Sequence, residues 1–193
     1  MLATVNGADD GLPPALHAKG PAVGAEGALR TFGRFVGSWK LRWHHVACDL
    51  DAVGELHVGW VLGGRAVQDV WIVPGPGQPG EGVPPHAFHG STIRFYDSDL
   101  GAWRSTWVEP INGRVRTFVG REEDGQIVLI SLDGAPLLRW RFRDIGADSF
   151  TWLGEFSRDE GRTWQLEERM LASRVRPSDA AAPPGRPDIR ADG

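Results

Sequence analysis

Four titratable side chains fall among tryptophans if their segments are extended: His45, Asp69, Glu109 and Glu168. In a strand, residues i, i+2 and i+4 share a face. Counting by two groups Trp39, Leu41, Trp43 and His45, and likewise Val67, Asp69, Trp71 and Val73. Trp103, Ser105, Trp107 and Glu109 form a third set; Trp164, Leu166, Glu168 and Met170 form a fourth. A carboxylate or imidazole among indoles loses water, which disfavours its charged form and tunes it for proton transfer near neutral pH. Asp69, His45 and Glu168 are therefore the candidate acid/base groups. Each also has a structural reading, since buried carboxylates tend to be paired and core histidines hydrogen-bonded. Glu109 ends its segment before Pro110, which suits a rim position in water.

Other chemistry has less support. His44 and His45 are adjacent, so on a strand they face opposite sides and cannot chelate one ion. His86 and His89 stand at i, i+3, half of a metal site, but zinc takes at least three protein ligands and no third is near in sequence. No metal and no cofactor are expected. Cys48 is the single cysteine, which excludes an internal disulfide and a cysteine zinc cluster. It lies past a strand end with no helix terminus nearby, and Ser91 and Ser105 lack a G-x-S-x-G setting, so a covalent nucleophile is unsupported. The glycines of 75–82 alternate with prolines and form no phosphate loop. Arginines recur at alternate positions, at 114 and 116 and at 139, 141 and 143. They read as outer-face partners of Glu155 and Glu167, or as a patch for an anionic ligand.

The elements that must position these groups are short strands. A helical pattern fits 24–36, where Leu29, Phe32, Phe35 and Val36 share a face. Ten strands follow, at 38–47, 53–62, 65–73, 89–96, 102–109, 113–121, 126–132, 136–144, 149–157 and 162–172. Between them lie Gly63-Gly64, Asn112-Gly113, Asp124-Gly125, Asp133-Gly134 and Glu160-Gly161, as tight hairpins require. Strands at this spacing predict an all-β, antiparallel, up-and-down architecture, and one helix cannot cover both faces of a ten-stranded sheet. Closure into a barrel removes the edges. The connection 74–88, with five prolines and four glycines, reads as a lid over the barrel mouth. Residues 1–23 and 174–193 lack hydrophobic periodicity and are expected to be a flexible segment and a disordered tail around a barrel domain at 24–173.

Certain motifs sharpen the architecture. Phe35-Val36-Gly37-Ser38-Trp39 runs a short helix into a G-x-W strand; then come Leu62-Gly63-Gly64-Arg65, Phe95-Tyr96-Asp97, Trp103-Arg104 and Glu167-Glu168-Arg169. In that order they resemble a bacterial family of unknown function among the calycin-like barrels, which include lipocalins, fatty-acid-binding proteins and nitrobindins. The resemblance implies a ten-stranded barrel with an internal cavity and a Trp closing its base. It implies no single reaction. Nitrobindins hold haem through a late histidine, and this chain has none after His89, so haem is not expected. Separately, Ser157-Arg158-Asp159-Glu160-Gly161-Arg162-Thr163-Trp164 resembles the Asp box of sialidase propellers. One copy in a chain this short reads as a hairpin clip rather than a glycosidase.

Composition limits the partners. The chain has 193 residues, 41% hydrophobic, with formal net charge −4 and nine tryptophans. That length buries one core. The negative balance argues against nucleic acid and against anionic membranes, and no apolar run approaches a membrane span. A cytoplasmic protein is expected, with a hydrophobic or aromatic small molecule as partner and room for a homodimer. The expected ligand-binding set is Trp43, Trp60, Trp71, His89, Trp107, Glu109, Trp140 and Trp152. Three functions stay open: a binding barrel, a cofactor-independent cyclase, isomerase or dehydratase, and a structural or interaction protein with a filled core.

Overall fold

The apolar stripe of the N-terminal helix decides which end of the molecule is closed. In the computed structural model, which describes residues 14–132 and 134–176, the helix α1 spans Glu26–Gly33 and buries Leu29 and Phe32. Ten strands follow: β1 (Gly37–His45), β2 (Leu50–Val61), β3 (Ala66–Val73), β4 (Phe88–Asp97), β5 (Ala102–Glu109), β6 (Arg114–Glu123), β7 (Gln126–Ser131), β8 (Leu137–Arg143), β9 (Ser149–Ser157) and β10 (Gln165–Arg174). Each pairs antiparallel with the next, and β10 closes on β1. The barrel is the closed, antiparallel, up-and-down architecture expected from alternation and turns. Residues 1–13, Asp133 and 177–193, which hold most of the expected 1–23 and 174–193 tails and one turn residue, lie outside the described residues.

The helix end is plugged by aromatics. The Phe32 ring packs 4.8 Å from Trp103 and 5.6 Å from Phe142, and Phe35 sits 4.8 Å from Phe150. Trp39 Nε1 donates to the Phe35 carbonyl at 2.8 Å, so the G-x-W strand start does close the base. Arg174 lies over the Trp39 ring at 4.0 Å and donates to the carbonyls of Val36 and Arg34 at 2.8 and 2.9 Å. Within this half only about 10 Å³ is left between Phe32, Phe35, Leu56, Asp69 and Phe142. It is a packed core. Residues 18–22 add to it from outside, with Ala18 N bonded to the Trp60 carbonyl and Ala22 N to that of Gly64.

Registers follow the expected alternation with two exceptions. In β6, Phe118 and Gly120 are buried while Val115 is 54% exposed, so the parity that points Phe118 inward points Arg114 and Arg116 inward too. The outer-face expectation for these two arginines is corrected. In β10 the pairing with β9 shifts between Leu166 and Glu168. That bulge at Glu167 reverses the faces on its N-terminal side, as an extra residue must. Glu168 and Met170 keep the inner register, but Trp164 lies outside, its ring 4.3 Å from the Arg139 guanidinium.

The outer arginines of β8 behave as expected with one partner rather than two. Arg139 and Arg141 both bind Glu155, at 2.7 Å each, and Glu167 has no part in the pairing. Burial works to raise the Glu155 carboxyl, but these hydrogen bonds outweigh it and hold it below the ordinary range. The Asp box closes the β9–β10 hairpin. Ser157 Oγ accepts from Gly161 N at 2.8 Å, and Asp159 accepts from the Thr163 amide and hydroxyl at 2.8 and 2.7 Å.

Candidate functional site

The other half of the barrel is open, and its walls come from glycine positions as much as from tryptophans. A Cβ on Gly90 would lie 2.3 Å from the Trp107 ring, and one on Gly154 would lie 2.7 Å from that of Trp152 and 2.9 Å from Glu168 Cγ. The indoles therefore lie flat against bare backbone, which leaves the centre of the barrel clear. Trp140 meets Trp107 and Trp152 edge to face, at 5.9 and 5.6 Å, and Trp71 sits 5.9 Å from Trp152. Together with Phe88, Leu138 and Met170 they surround a cavity of about 290 Å³. That volume is at the lower end of small-molecule sites.

The floor of the cavity is an ion pair. Asp69 and Arg94 are 3% and 1% exposed and joined by a short bond from Arg94 Nη1 to Asp69 Oδ2. The other Asp69 oxygen accepts from Thr92 N at 3.0 Å. The Arg94 guanidinium carbon stands 4.9 Å from the Phe32 ring centroid, on the plugged side. This pair separates the filled half from the open one. Asp69 faces inward as expected, but it lines the packed side and its carboxylate is held twice. Arg94, absent from the expected site residues, is the floor residue on the cavity side; period two from Gly90 places it on the inner face. Its Nε, together with Ser105 Oγ and Thr92 Oγ1, is buried without a hydrogen-bond partner among the described residues.

Glu168 is the carboxylate on the wall. Trp43 Nε1 donates to its Oε2 at 2.5 Å. Burial pushes its pKa up to about 7, against the opposing pull of the Trp43 bond and the Arg114 charge. Trp43 thus serves the cavity through Glu168. His45 stands directly across from Glu168 in the β1–β10 register. Glu109 is not in water: it is 1% exposed and accepts from Ile111 N, Asn112 N and Asn112 Nδ2 at 2.7–3.0 Å, organising the β5–β6 turn at the cavity edge.

At the rim, Arg114 and Arg116 line the cavity with Gly134, Ala135, Pro136, Glu155 and Glu167. Neither arginine makes a side-chain ion pair among the described residues; Arg116 donates to the neighbouring Val115 carbonyl at 2.8 Å. Two expected ligand contacts lie elsewhere. Trp60 is at the helix end, where its ring fills the space a Gly33 Cβ would need. His89 is exposed because β4 turns Phe88, Gly90, Thr92 and Arg94 inward, and the alternation leaves His89 outside.

The 74–88 segment is not a lid. Its first part lies along the outer wall, where Pro74, Gln78 and Pro79 face Arg42, His44, Asp51 and Arg169 across a depression of about 570 Å³. Gly75 N bonds to the Val53 carbonyl at 2.8 Å, which holds it there. Its last residues return to the rim, where the Ala87 carbonyl accepts from Asn112 Nδ2 at 2.8 Å. The return also brings His86 beside Cys48 and His45, with donor atoms all within 4.8 Å of one another. Of the His86/His89 pair only His86 takes part, and its two partners, which sequence spacing could not supply, come from the β1–β2 hairpin.

No family model matches the chain, and no curated protein matches it. Solved structures similar to it include the S-type phycobiliprotein lyase CPES from Guillardia theta, at 14% identity and TM-score 0.48, covering 77% of this chain and 93% of that one. Rv2717c from M. tuberculosis is similar at 12% identity and TM-score 0.48, over 77% of this chain and 98% of that one. Among the described residues no helix is long and apolar enough to cross a membrane.

Proposed function

We propose that the open half of the barrel binds a small planar aromatic molecule carrying an acidic group. The aromatic part lies against Trp71, Trp107, Trp140 and Trp152, and the acid faces Arg114 and Arg116. The observation that carries this reading is the inward register of those two arginines above the indole walls, with no carboxylate ion-paired to either among the described residues. Arg114 is exposed and Arg116 half-buried, so both guanidinium groups stand at the entrance, where a charged end of a ligand can reach them and a purely apolar one makes no use of them. A filled structural core is disfavoured by the cavity itself. At the floor, the unpartnered Arg94 Nε can donate to an acceptor on the far end of the ligand.

The test is tryptophan fluorescence, titrated with a panel of one- and two-ring aromatic carboxylates and their neutral amides. Saturable quenching by acids is expected, with amides weaker by about tenfold or more, as loss of one charge-assisted contact implies. Arg114→Gln with Arg116→Gln should erase that preference and leave the amide affinity unchanged. Absence of saturable quenching, or an acid preference that survives both substitutions, overturns the proposal.

A second reading uses the same cavity for proton transfer. It is favoured by Glu168, whose Oε1 has no hydrogen-bond partner among the described residues while Oε2 is fixed by Trp43. A carboxyl so oriented can take a proton from a bound molecule and return it at another atom, the core of a cyclase or isomerase step. Glu168→Gln would then retain binding and lose turnover; undiminished turnover in that variant removes the reading.

A further inference from the structure

We propose that His45, Cys48 and His86 form a binding site for a zinc-class divalent ion, with three protein ligands and an open fourth position. The site goes beyond the cavity reading and does not depend on it. Its ligands come from three places that only the fold brings together. His45 ends β1 on the inner face, Cys48 lies in the β1–β2 turn, and His86 sits two residues before β4. Their donor atoms lie within 4.8 Å of one another. Cys48 Sγ is 3.8 Å from His86 Nε2, and the two imidazole rings are 5.2 Å apart between centroids at an angle of 67°.

Geometry and chemistry both select the metal. Tetrahedral zinc with Zn–N of about 2.0–2.1 Å and Zn–S of about 2.3 Å spaces its donors roughly 3.3–3.6 Å apart. The Cys48–His86 separation is already close to that spacing, and small side-chain rotations bring in His45. Two imidazoles and a thiolate are a borderline-soft set that suits zinc and excludes the oxygen-seeking magnesium and calcium. His45 Nδ1 is buried without a hydrogen-bond partner among the described residues, an arrangement that is costly unless that nitrogen donates to a partner or binds an ion. On binding, the Cys48 thiol releases its proton and the sulfur's lone pair forms the metal bond. Cys48 is exposed, so the fourth position opens to solvent.

The ion would join the β1–β2 turn to the end of the long 74–87 connection. That connection touches the rim otherwise through the Asn112–Ala87 bond. A three-ligand clip at this point fixes the edge of the cavity beside His45.

The lone cysteine makes the test specific, because any thiol signal reports Cys48 alone. Full-length chain stripped with a chelator is titrated with Zn²⁺ by calorimetry and, in parallel, treated with iodoacetamide. One ion per chain is expected, and saturating zinc should slow alkylation by about tenfold or more, because the thiolate is tied to the ion. His86→Ala, at a partly exposed loop position, should weaken binding at least tenfold or so and abolish the protection, as removal of one of three ligands implies. Co²⁺ in place of zinc should give a thiolate-to-cobalt charge-transfer band that Cys48→Ser lacks. Absence of stoichiometric binding, or protection equal in the wild type and His86→Ala, overturns the site. A bare thiol–imidazole pair would give that second result: fast alkylation indifferent to zinc.

Discussion

Asp69 and Glu168 look alike as sequence, each a carboxylate alternating with a tryptophan, yet the fold gives them opposite circumstances. Asp69 is locked to Arg94 and the Thr92 amide. Replacing it with Asn leaves the guanidinium buried and uncompensated, so Asp69→Asn should lose about 3–5 kcal/mol in urea denaturation. The double variant Asp69→Leu with Arg94→Met should recover much of that loss, because the isolated charge is gone. Glu168 has its pKa raised to about 7 from 4.5. As pH rises through that interval, the unfolded chain gives up a proton that the folded chain keeps, so this group removes stability from about pH 4.5 upward, fully by pH values above about 7. Glu168→Gln should therefore be more stable than wild type near pH 8 and equal to it near pH 4 in chelator-treated buffer. What sequence could not distinguish was the partner. Period-two counting places both carboxylates inside, but a pairing such as Asp69 with Arg94 depends on which strands are neighbours and at what register.

At the scale of elements, the strands were legible and their irregularities were not. Alternation located all ten strands within a few residues and put Trp71, Trp107, Trp140 and Trp152 on the inner face, because period two is a property of each strand by itself. The bulge at Glu167 leaves no mark of its own in the sequence. It turned Trp164 outward, where the Asp box and Arg139 hold it. The spacing of Arg114 and Arg116 matches that of the β8 arginines, but Phe118 and Gly120 in their own strand carry the opposite, inward parity. In the 74–87 connection, proline and glycine content reports the absence of a strand, not the direction of the loop. The close approach of backbone and indole at Gly90 gives a prediction that belongs here. Gly90→Ala puts a methyl 2.3 Å from the Trp107 ring and drives the indole into the cavity. It should cost about 1–3 kcal/mol by overpacking and weaken ligand binding more than tenfold or so. Gly59→Ala, where nothing lies within 4 Å, is the matched control and should leave binding unchanged.

The whole molecule divides along its axis. One half is a packed aromatic core under α1; the other is a cavity with indole walls, and the Asp69–Arg94 pair is the floor between them. Stability and binding should accordingly separate. Phe32→Ala in the plug should lose about 3–5 kcal/mol while ligand affinity stays within twofold or so of wild type, measured by denaturation and fluorescence titration on the same samples. The nine tryptophans, an undivided excess in the composition, divide: Trp39, Trp60 and Trp103 seal the base, Trp71, Trp107, Trp140 and Trp152 wall the site, Trp43 serves it through Glu168, and Trp164 lies outside. Where the ligand sits is settled most directly by a crystal structure of the chain with the aromatic acid that quenches most strongly. The ring is predicted against Trp107, Trp140 and Trp152, with its carboxylate within hydrogen-bond reach of Arg114 or Arg116. A ligand found instead on the outer wall, between Arg42, Asp51 and Gln78, with the cavity unaltered, would contradict the account.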